Sequence, residues 1–169
     1  MRRAPGNPRQ GRLCAGGRVL CCALGRGGIS AFKREGDGAT PIARLRATGC
    51  YFRADRRGRP QFFGASKAIR GDDGWCDAPA DANYNEPVRL PFAASHERMM
   101  RDDRLYDVCI VLDWNRPPRG RARHRGSAIF LHVAKPGLEP TEGCIALSPP
   151  DLDWLLPRLR PQTVLRVVG

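Results

Sequence analysis

A chain of 169 residues, 41% hydrophobic and 27% charged, has the size and make-up of one globular domain. No run of about 18 apolar residues occurs, so no membrane-spanning helix is expected. The formal net charge of +12 favours an anionic partner such as nucleic acid, acidic lipid or a cell-wall polymer. Because no nucleic-acid-binding signature is present, no specific nucleic acid partner is expected.

Residues 1–17 are rich in Gly, Pro and Arg and are expected to be poorly ordered, with the folded domain covering 18–169. The basic start is followed by a short apolar stretch, RVLCCAL, and then by GRGG rather than an A-x-A-like cleavage site. No secretory signal is therefore read. RVLCCAL (18–24) predicts a first strand, and KREGDGATP (33–41) a loop. ARLRATGCYFRAD (43–55) alternates in part and predicts one or two strands. GWCDAPADANYNEPVRLPF (74–92) is dense in turn residues and reads as a long structured loop. SHERMM (95–100) predicts a short helix capped by Ser95.

DVCIVLDWN (107–115) is a strong strand, RPPRGRARHRG (116–126) a basic loop, and SAIFLHVA (127–134) a further strand. In SPPDLDWLLPRL, Ser148 suits an N-cap, Pro149 the first helical position and Asp151 the capping-box position. Leu152, Leu155, Leu156 and Leu159 follow helical spacing, and Pro157 keeps the helix short or kinked. TVLRVVG (163–169) predicts a last strand. The fold class is mainly β, with one or two short helices.

The seven cysteines are odd in number and contain no C-x-x-C pair, so a zinc ribbon or finger is not expected. Cys21, Cys22 and Cys109 sit in apolar runs, as small core residues do. Glu35 and Asp37 are too weak a pair for a metal site or a glycosidase. No metal or cofactor is expected.

One pair of residues has catalytic potential. Cys144 follows a glycine and precedes a helix start, and His132 ends a strand twelve residues upstream. A nucleophilic thiol needs a base and backbone donors for the developing oxyanion. Gly143, lacking a side chain, lets a substrate carbonyl approach. From the chemistry alone, a catalytic pair and a structural pair both remain open.

The surrounding residues carry a resemblance. SAIFLHVA followed by PTEGCIAL resembles the L,D-transpeptidase catalytic domain family (YkuD-like), whose signature is a histidine at a strand end and then Ser/Thr-x-Gly-Cys. His132, Thr141, Gly143 and Cys144 match it. KREGDGATP looks like the family's early Lys, Asp-Gly-x-Thr-Pro segment, and GWCDAPADANYNEPV and SHERMMRDDRLYDVCIVLDWN look like one branch of it. The likeness spans roughly 18–169. It implies a β-sandwich-type domain acting by acyl transfer on peptidoglycan stem peptides, in the periplasm or cell envelope. The oligomeric state is open, with a monomer favoured. Cys144 is the implied nucleophile, His132 the proton donor and acceptor, and Gly143 the oxyanion-hole turn. Thr141, Glu142, Asn115 and Arg125 are the substrate-binding candidates. The other readings are an L,D-carboxypeptidase and a noncatalytic, basic wall-binding module of the same fold.

Two positions depart from the family pattern. Glu142 stands where many members carry histidine, and Ala146 where many carry arginine. A carboxylate at 142 is expected to raise the thiol's pKa. Arg125 or Lys135 is expected to replace the missing arginine. His96 and His124 read as surface residues. Asn83, Tyr84 and Asn85 read as satisfying loop backbone, and Trp75, Trp114 and Trp154 as packing.

Overall fold

The computed structural model describes residues 1–116 and 120–169. The early strands are β1 (Arg2–Ala4), β2 (Asn7–Ala15), β3 (Arg18–Ala23), β4 (Ile29–Ser30) and β5 (Thr40–Pro41). The middle holds β6 (Ala43–Leu45), β7 (Ala47–Phe52), β8 (Ser66–Ala68), β9 (Asp73–Cys76), β10 (Pro87–Arg89) and β11 (His96–Arg98). The last part holds β12 (Val108–Leu112), β13 (Phe130–Val133), β14 (Ile145–Leu147), the helix α1 (Pro149–Leu155) and β15 (Leu165–Val167). The domain is mainly β, as its composition and patterning predict.

The main sheet has eight strands in the order β1-β2-β3-β14-β13-β12-β7-β8. Period-two alternation gives each central strand two buried faces. Val108, Ile110, Leu131, Val133, Ile145 and Leu147 point into one core, closed by Leu152, Leu155, Leu156 and Val167. Cys109, Val111, Phe130 and Cys144 point into the other, where Trp75 and Met99 pack. Trp75 lies on β9, the centre of the three-stranded sheet β10-β9-β11. Its ring meets the Phe130 ring edge-on at 5.0 Å.

The C-terminal helix forms as its residues predict. The Ser148 hydroxyl accepts from the Asp151 N–H at 3.3 Å and donates to the Asp151 carboxylate at 2.8 Å. Pro157 falls in a 3₁₀ turn, Leu156–Arg158, which ends α1.

Two expectations are corrected. Residues 1–17 are not a loose tail: β1 and β2 build the edge of the main sheet, with β2 paired to β3 from Gln10–Ala23 to Ala15–Arg18. Gly11 and Leu13 are buried, while Arg12 between them is exposed. That alternation is hidden under an Arg/Gly-rich composition. SHERMM is not a helix either. His96–Arg98 pairs with Trp75 and its neighbours on β9, and the cross-strand partner overrides the weak local preference. The 74–92 segment carries β9 and β10, paired as antiparallel strands. Of the basic loop 116–126, residues 117–119 lie outside the described residues.

Candidate active site

β13 and β14 run parallel, with His132 level with Ala146 and Leu131 level with Ile145. Side chains two apart share a face. Phe130 and His132 therefore share a face with Cys144 and Ala146. His132, Ala146 and Cys144 line one cleft of about 270 Å³, together with Glu97, Arg101, Tyr106, Thr141 and Glu142.

Cys144 sits at the lip of this sheet, 8% exposed. Its thiol donates to the Ala128 carbonyl at 3.1 Å, a bond that a thiolate cannot make. The Phe130 N–H donates to Sγ at 3.4 Å. Burial pushes the thiol up to about 12, and the Glu97 charge adds to this; the Phe130 N–H, Lys33 and Arg101 pull the other way.

His132 is 3% exposed. Its Nδ1 lies 2.8 Å from the Val133 carbonyl, which can only accept, so Nδ1 carries the hydrogen and Nε2 is left as the acceptor. Burial holds the imidazolium down at about 4, against the opposing pull of the Val133 carbonyl. The resting pair at neutral pH is a thiol and a neutral imidazole.

The turn before the thiol is tightly built. Gly143 has φ +128°, and a Cβ there would sit 2.9 Å from the Ala39 carbonyl oxygen. Its N–H donates to Thr141 Oγ1 at 3.2 Å, and that hydroxyl donates to the Cys144 carbonyl at 2.7 Å. Thr141 thus staples the turn from within. Gly25 packs against the same turn, since a Cβ on it would lie 2.9 Å from Gly143 Cα. Below, the Lys33 ammonium, almost fully buried, meets Asp37 at 2.5 Å. Burial alone would raise the Asp37 carboxyl, but Lys33 and the N–H groups of Ala39 and Arg34 outweigh it and hold it below the usual range.

A family model for the L,D-transpeptidase catalytic domain, YkuD, matches residues 7–168. The chain belongs to this family. No curated protein and no solved structure matches it. The YkuD match begins within β2, well ahead of residue 18, in keeping with an N-terminal segment that is part of the sheet.

Within this YkuD domain, the remaining candidates separate. Glu142 is on the rim, its side chain 77% exposed and paired with Arg26 at 2.7 Å. The carboxylate that raises the thiol is Glu97, from β11. A Glu142→Gln protein is therefore expected to keep the alkylation rate of Cys144 by iodoacetamide within about twofold of the parent from pH 7 to 9. A clear speeding of alkylation would return Glu142 to the thiol.

Arg125 lies outside this cleft, and its carbonyl accepts from the Trp114 indole at 2.9 Å. Lys135 lines the cleft and pairs with Glu139 at 3.7 Å. Arg101, which the sequence did not single out, lines it too. Asn115 is a loop builder. Its amide donates to the carbonyls of Ala122 and Gly126, and its oxygen accepts from the Ala122 N–H at 2.7 Å. His96 packs on Phe92, and His124 is exposed, its carbonyl accepting from the Glu35 N–H. Ala146 is 1% exposed beside His132, a small side chain in the cleft floor.

Asn85 matters most among the loop residues. It is 1% exposed, and its Oδ1 accepts from the Trp75 indole at 3.1 Å and from the Ala128 N–H at 3.0 Å. Ala128 holds φ +49°, a conformation that is strained for alanine. Asn85 thereby fixes the carbonyl that receives the Cys144 thiol. The sequence marked Asn85 as a loop residue; its link to Ala128 crosses 43 residues and has no local signal.

Proposed function

We propose that this protein is a cysteine acyltransferase acting on peptidoglycan stem peptides through a thioester on Cys144. The observation that carries this reading is one juxtaposition. A thiol and a neutral histidine whose Nε2 is the acceptor nitrogen line the same cleft, on a face set by the parallel β13–β14 register.

In the first half-reaction, His132 Nε2 takes the Cys144 proton as Sγ attacks the carbonyl of the third stem residue. The C–N bond to the terminal D-alanine breaks, and the imidazolium returns the proton to the leaving amine. In the second, an acceptor amine attacks the thioester, His132 takes its proton, and the departing sulfur recovers it. N–H groups at the Gly143–Cys144 turn stabilise the oxyanion, with Gly143 exchanging its bond to Thr141 for one to the substrate. With water as acceptor, the same enzyme is a carboxypeptidase.

Purified stem tetrapeptide with and without an acceptor amine tests this by mass spectrometry. The expected results are an acyl adduct on the peptide carrying Cys144 and release of D-alanine. A cross-linked product marks transfer and a tripeptide marks hydrolysis. Absence of both adduct and D-alanine would sink the reading. The thiol's high pKa favours a second one, in which the domain grips anionic wall polymer without turning it over. Salt-sensitive sacculus binding by a protein that forms no adduct would select that second reading.

A further inference from the structure

The main sheet carries a second cavity, on the face away from Cys144. Ile110 and Leu131 line it, whereas Cys109 and Phe130, next to them in the chain, pack on the Cys144 side. Its volume is about 550 Å³. The inner walls are aliphatic. Leu13, Ile110, Leu112 and Leu131 come from the main sheet, Leu45 from β6 and Leu155 from α1, and all six are buried. Among the described residues no carboxylate lines the cavity, and Arg158 is the charged side chain that does. Cys14, Gly16 and Arg158 are the exposed lining residues and mark the mouth.

The mouth is cationic. Trp154 stands beside it, since a Cβ on Gly16 would lie 3.3 Å from the indole ring. The guanidinium groups of Arg158 and Arg18 lie over that ring, at 4.1 and 4.8 Å from its centre. Neither meets a carboxylate among the described residues. Arg158 donates to the Trp154 carbonyl at 2.7 Å, and Asp153, the acid next to the ring, is taken by Arg57 at 2.9 Å. The polarity of the cavity therefore runs one way, from an aliphatic interior to two guanidinium groups without a counter-anion.

We propose that this cavity binds a single-chain anionic amphiphile of the fatty-acid class, with its alkyl chain between the sheet and α1 and its carboxylate at Arg158 and Arg18. An apolar cavity of about 150 Å³ stays dry and takes up a molecule such as benzene, so a larger one has room for an alkyl chain. Apart from Cys14, Arg158 and Thr163, the lining side chains are apolar, so a polar group along the body of the ligand would be buried without a partner. At the outer end, Arg158 and Arg18 can offer paired N–H donors to a carboxylate. The site lies apart from the Cys144 cleft and does not depend on the acyl-transfer reading.

Titration calorimetry on the full chain tests this with two probes that share an alkyl chain and differ in head charge. They are sodium dodecanoate and dodecyltrimethylammonium, each well below its micellar concentration. Dodecanoate is expected to bind at one site, at least about tenfold more tightly than the cation. The double variant Arg18→Gln/Arg158→Gln is expected to erase most of that preference. Ala47→Phe fills the cavity from a half-buried lining position and is expected to abolish binding of both probes. Ala15→Val, a milder change on the same lining, is expected to weaken dodecanoate binding should the phenylalanine variant not fold. Cys144→Ala is expected to bind dodecanoate as the parent does, which keeps the result apart from acyl transfer. No binding of dodecanoate, equal or tighter binding of the cation, or a preference that survives loss of both arginines would overturn the proposal. So would a dodecanoate affinity unchanged in the folded cavity-filling variants. Binding to vesicles of anionic phospholipid without binding of dodecanoate would overturn it too, since that requires surface charge and no cavity.

Discussion

Cys144→Ala is expected to reduce stem-peptide turnover to background, and His132→Gln to lower kcat/KM by about 10²–10⁴-fold. The two residues act as one unit, so the double variant is expected to be no worse than Cys144→Ala alone. The imidazole must be unprotonated to take the thiol's proton. Because burial holds it down at about 4, kcat/KM is expected to rise with pH through about 4 and to stay level from pH 6 to 8. A limb near pH 6.5 would mean that His132 is solvated during turnover.

The same shift has a stability consequence, with its sign fixed by linkage. The unfolded histidine takes up a proton near 6.5, the folded one only near 4. Between those values the unfolded chain binds more protons, so stability falls as pH drops, by up to about 1.4 kcal/mol per pH unit. Glu97 works oppositely. Burial raises its folded pKa, against the pull of Tyr106 and Arg101, so its share of the stability is lost as pH rises. The difference in unfolding free energy between the parent and His132→Gln isolates the histidine. A difference that is flat from pH 4 to 6.5 would refute the shift.

Asn85→Ala is expected to lower the unfolding free energy by about 3–5 kcal/mol in urea. It strips the acceptor from two buried donors, the Trp75 indole and the Ala128 N–H, at about 1–3 kcal/mol each. It also removes the donor to the carbonyls of Trp114 and Asn115. Alanine must then hold φ +60°, which asparagine tolerates better. Activity is expected to fall as well, because the strained Ala128 loses its anchor and its carbonyl no longer orients the thiol. A loss below about 1 kcal/mol would show that the network is slack.

Much of the frame was legible. DVCIVL and AIFLHV are apolar runs too short for helices and too rich in β-branched residues for loops, and they became β12 and β13. Ser148 and Pro149 announced α1, because caps and first-turn prolines act within one turn. The N-terminal strands were missed because composition was weighed above the Gly11–Leu13 alternation. β11 was missed because its order comes from β9, twenty residues away.

By itself, the sequence determined the nucleophile candidate, the base candidate and the glycine turn between them, since spacing along one chain records residues joined by a short connection. The tertiary structure alone decided which charges surround them. Glu142, two residues from the thiol, turns out to Arg26, while Glu97, 47 residues away, faces the cleft. Side-chain direction in a strand depends on which strand it pairs with and in which register, and electrostatic energy depends on distance through space, not along the chain.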